Sequence, residues 1–82
     1  MQFLFHSVIE QEGQTRYYNI YQIDDERYLA ECHHFNRERS CEGDFELHKK
    51  GVEWVAAAPS FDSQAQIIGE EIERMSRDSE PV

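Results

Sequence analysis

From residue 2 to residue 56, tight polar turns cut the chain into segments of ten residues or fewer, and only the stretch after Pro59 is free to form a long helix. Residues 2–10 alternate, with Phe3, Phe5 and Ile9 on one parity and Leu4, His6 and Val8 on the other. Gln11-Glu12-Gly13-Gln14 reads as a turn in which Gly13 supplies a positive φ. Residues 16–23, Arg-Tyr-Tyr-Asn-Ile-Tyr-Gln-Ile, give the clearest strand, being rich in aromatic and β-branched types. Asp24-Asp25-Glu26 is a second turn, and residues 27–35 a third strand. Connections this short require an antiparallel meander. Residues 36–44 form the longest polar loop, and residues 45–49 and 52–56 a second hairpin around Lys50-Gly51.

One helix follows, over about residues 61–77, with Ser60 or Asp62 to cap its first turn. Phe61, Ala65, Ile68, Ile72 and Met75 recur at three and four residues and make one apolar stripe. Gln64, Glu70, Glu71, Glu73 and Arg74 fall off it. Gly69 costs about 1 kcal/mol inside a helix relative to Ala, a cost that close packing on the sheet would explain. The expected fold is therefore α+β: an antiparallel meander of four to five strands with one C-terminal amphipathic helix on one face. A single domain spans residues 1–77, and residues 78–82 form a frayed polar tail. The expected core is Phe3, Phe5, Tyr18, Ile20, Leu29, Phe45, Leu47, Trp54, Phe61, Ala65, Ile68, Ile72 and Met75.

Composition narrows the function classes. Eight Lys and Arg stand against seventeen Asp and Glu, for a net charge of -9, which opposes nucleic-acid binding because phosphate demands a basic surplus. No apolar run approaches the roughly 20 residues of a membrane span. The N-terminus Met1-Gln2-Phe3-Leu4-Phe5-His6 has neither the basic start nor the long apolar run of a secretion signal. A cytoplasmic location with free thiols is the expectation, and a Cys32–Cys41 disulfide is its alternative in an oxidising setting. Asp24-Asp25-Glu26 reads as a solvated turn and Glu70-Glu71 as part of an outer helix face, neither in a cleft. The chain has no Gly-rich phosphate loop, GxSxG or HExxH sequence, so catalysis is not expected.

Two features remain. A sheet covered by a helix on one face is ordinarily polar on the other, yet both parities here hold aromatic and aliphatic residues. Tyr17, Tyr21, Ile23 and Tyr28 are the candidate interface on the second face, for a second copy or a partner protein. The acidic helix, with six acids against Arg74 and Arg77 in residues 60–82, would attract a basic partner. The rival is a zinc site built from Cys32, His34, Cys41 and His48, although their spacing matches no standard knuckle. Cys41 with His34 or His48 can also be written as a nucleophile–base pair.

A meander followed by one acidic helix is similar, in element order alone, to the small acidic antitoxins of the HicB type. This chain lacks their DNA-binding segment and loop motif. The resemblance implies partner binding ahead of catalysis.

Overall fold

A computed structural model describes residues 1–35, 38–39 and 43–78. Five strands form one antiparallel sheet in the order β1 (Gln2–Gln11), β2 (Gln14–Gln22), β3 (Arg27–Cys32), β6 (Phe45–Lys50), β7 (Glu53–Ala56). Two short strands, β4 (His34–Phe35) and β5 (Glu38–Arg39), pair with each other inside the segment expected to be strand end and loop. A 3-10 turn at Pro59–Phe61 leads into α1 (Asp62–Asp78). The α+β meander with its C-terminal helix is thus the architecture found, and Asp78 belongs to the helix. No helix among the described residues is long and apolar enough to cross a membrane.

Turn chemistry sets the register. Glu12 (φ 52°) and Gly13 (φ 77°) both take the left-handed conformation that a two-residue hairpin turn needs. Gln11 therefore pairs with Gln14, and Ile9, Ser7 and Phe5 with Arg16, Tyr18 and Ile20. At the next turn, Asp24 Oδ1 accepts the backbone N–H groups of Glu26 and Arg27 at 3.0 and 2.9 Å. Arg27 Nε lies 2.8 Å from Asp24 Oδ2.

The core lies between the sheet and α1. Tyr18, Ile20, Ala30, Leu47, Ala65 and Ile68 are almost fully buried there, joined by Ile9, Cys32, Phe45, Trp54, Ala56 and Ile72. Phe45 stacks on Phe61 at 4.8 Å and meets Tyr18 edge-on. Trp54 lies flat against Gly69: a Cβ there would stand 2.0 Å from the indole Cγ. Gly69 is thus required by the helix–sheet approach.

Three expected core positions are displaced. A β-bulge between Phe3 and Phe5 pairs Phe3 with Tyr21 and puts it on the outer face, 46% exposed, while Leu4 turns to the core. Leu29 pairs with Tyr21 and is also outward, because Tyr28, Ala30 and Cys32 take the core side of β3. Met75 is 46% exposed near the helix end. Gln64, expected off the helix stripe, is buried. Glu71, expected on a solvated face, accepts the Ser7 hydroxyl at 2.6 Å across to β1. The tail beyond Asp78 and the loop residues 36, 37 and 40–42 lie outside the described residues.

Candidate functional site: the outer sheet face

Helix α1 packs on one face of the sheet, and the face of β1–β3 opposite it is not the one the helix covers. Register orders that face into three rows. Phe3, Tyr21 and Leu29 form one row across β1, β2 and β3, with the Phe3 and Tyr21 rings 5.6 Å apart and edge-on. Val8 and Tyr17 form another row, 56% and 38% exposed. Between them runs a polar row of His6, Asn19 and Glu31. His6 Nδ1 lies 2.6 Å from Asn19 Oδ1, and Asn19 Nδ2 donates to Glu31 Oε1 at 3.2 Å. The Tyr21 hydroxyl donates to the same oxygen at 3.4 Å. Desolvation, followed by the Glu31 carboxylate, holds the Tyr21 phenol above its ordinary pKa. A mainly apolar depression of about 280 Å³ lies against Val8, Tyr17, Asn19 and His33.

The candidate interface residues divide. Tyr17 and Tyr21 lie on this face, and Ile23 follows β2 into the turn, half-buried. Tyr28 does not lie there. It sits on the core side, its ring 5.6 Å from Trp54. Strand parity opposite to Leu29 was the right signal, but it assigned the wrong member of the pair to the outside. Phe3 and Leu29, read as core, are the interface candidates that replace it.

Of the four zinc candidates, the side chains of Cys32 and His48 are described and stand apart, while Cys41 and the His34 side chain lie outside the described residues. Cys32 is disulfide-bonded, and the only other cysteine in the sequence, Cys41, lies outside the described residues. The free-thiol expectation is therefore corrected, and a bonded sulfur is neither a zinc thiolate nor a nucleophile. His48 pairs with Arg27, five residues along β3 from Cys32, so the two are roughly 17 Å apart at strand rise. They also point to opposite faces, Cys32 buried and His48 exposed. Among the residues whose side chains are described, no three His, Cys, Asp or Glu residues gather to hold a metal ion.

One acidic turn does border a cleft, contrary to expectation. Asp25 and Glu26 line a space of about 560 Å³ with Tyr28, Lys49, Trp54 and Glu73. Glu73 is already engaged there: it accepts Trp54 Nε1–H at 3.0 Å and pairs with Lys49.

No family model, curated protein or solved structure matches this chain.

Proposed function

We propose that the chain is a non-enzymatic protein-interaction domain, acting by association with itself or with a partner protein through the outer face of β1–β3. One observation carries the reading: two rows of apolar side chains, Phe3–Tyr21–Leu29 and Val8–Tyr17, stand on the sheet face that α1 does not cover. Tyrosines suit such a surface, since the ring buries area while the hydroxyl keeps a polar partner, as Tyr21 does with Glu31. Burying this face would also strengthen a domain too small to hold a large core. A net charge of -9 favours a protein over a nucleic acid as partner.

The bonded state of Cys32 favours an oxidising location over the cytoplasmic one expected from the sequence, because disulfides persist where thiols are not kept reduced.

Sedimentation velocity of the wild type beside a Tyr21→Lys/Leu29→Lys variant tests the reading. The wild type should gain mass with concentration, and the folded variant should do so less. A wild type that stays monomeric at every concentration, with Tyr21 and Leu29 open to surface labelling, contradicts it.

A further inference from the structure

The two edges of the sheet differ. At the β7 edge, α1 takes up two outward N–H groups: Gln66 Oε1 accepts the Trp54 N–H at 3.0 Å, and Asp62 Oδ1 accepts the Ala56 N–H at 2.9 Å. These are the positions that should point outward. The β6–β7 hairpin closes on the Lys50–Glu53 pair, so alternation gives Trp54 and Ala56 no ladder bond to β6.

The same rule applied to β1 gives a different result. Its hairpin closes on Gln11–Gln14, so Ile9 and Ser7 bond to β2 while Glu10, Val8 and His6 turn their N–H and C=O groups outward. Among the described residues, no hydrogen bond reaches the outward backbone groups of these three. The run is bounded upstream by the bulge between Phe3 and Phe5 and downstream by the turn at Glu12-Gly13. It carries neither the Pro nor the Lys that commonly blunts an exposed edge.

We infer that a second copy of this chain pairs antiparallel along β1, with Val8 opposite Val8 on the two-fold axis. The run of three outward residues dictates that register. Only pairing centred on Val8 engages all three, placing His6 opposite Glu10 of the other copy and Glu10 opposite His6. Each pair exchanges two backbone hydrogen bonds. The side chains agree. The imidazole meets a carboxylate on both sides of the axis, and because His6 Nδ1 is taken by Asn19, Nε2 is the nitrogen left for that carboxylate. The exposed Val8 side chains of the two copies meet across the seam. The product is a continuous sheet of both chains, with the row Phe3–Tyr21–Leu29 presented twice on one surface. This goes beyond the outer-face reading above: the seam is the β1 edge, and the row Phe3–Tyr21–Leu29 stays on the surface of the pair.

Cysteine trapping in the intact chain reads the register directly. Val8→Cys should form a disulfide-linked dimer under mild oxidation, because the paired Cα atoms would lie about 5.5 Å apart, within disulfide reach. Glu10→Cys alone should not, since its own copies would be about 13 Å apart. A mixture of His6→Cys and Glu10→Cys chains should cross-link. Val8→Pro, which removes an outward N–H that the hairpin does not use, should shift a folded chain to monomer. Equal trapping at both single sites, or none at Val8, overturns the pairing. Association that survives Val8→Pro but is lost in Tyr21→Lys/Leu29→Lys also overturns it, while leaving the outer-face reading standing. A wild type monomeric at all concentrations removes both.

Discussion

Gly69 is empty of side chain because the Trp54 indole occupies the place where one would stand. Alanine there would add about 1 kcal/mol of helix propensity. The contact it creates, 2.0 Å from Cγ, is with a ring fixed by Glu73 at one end and by its own backbone bond to Gln66 at the other. Overpacking of this kind costs about 1–3 kcal/mol, and so close an approach belongs at the upper end. Gly69→Ala should therefore lower stability in urea unfolding despite its better helix propensity. Cys32 is the second residue on which the account depends. Cys32→Ser should cost about 2–4 kcal/mol, and the native chain should take up no alkylating agent under denaturing, non-reducing conditions. At Asp24, two backbone N–H groups and Arg27 hold the carboxyl below its ordinary pKa, the bond from Glu26 foremost. The sign follows: the turn's contribution is complete above the ordinary carboxylate value and disappears as pH falls through the lowered one. An NMR titration should place the Asp24 midpoint below that of an unfolded aspartate.

At the scale of elements, the strands and the helix were legible because alternation, turn residues and a three-to-four repeat are local signals. What was lost is informative. The bulge at Phe3/Phe5 reverses parity at the start of β1, and nothing in Gln2-Phe3-Leu4-Phe5 marks the extra residue. On β3 the larger aliphatic Leu29 was given to the core, but the side facing α1 already holds Tyr18, Ile20 and Leu47, and the small Ala30 and Cys32 fit among them. Size complementarity between elements decided this, and it is invisible within one strand. Helix side chains were misread for the same reason. Ser60 or Asp62 was the expected helix cap; the Asp62 carboxylate accepts the Ala56 N–H on β7. Asp62→Ala and Gln66→Ala should each cost about 1 kcal/mol, with faster hydrogen exchange at the Ala56 and Trp54 amides respectively. Unchanged exchange would mean that the β7 edge is not held by these side chains.

Taken as a whole, the molecule presents two different sides among the described residues. Helix α1 buries one sheet face and accepts two N–H groups of the β7 edge, while the outer face of β1–β3 carries two apolar rows and the β1 edge carries three residues with outward backbone groups. The sequence foretold an apolar second face and the placement of Tyr17 and Tyr21. It could not foretell that Phe3 and Leu29 would join them, or that two N–H groups of one edge would be taken up by Gln66 and Asp62, since both depend on register. Self-association of the domain should follow. Sedimentation equilibrium of the intact, oxidised wild type, from low to high micromolar concentration, tests it most directly. A reversible monomer–dimer equilibrium is the expected result, and a single monomeric mass across the whole range would rule out self-association.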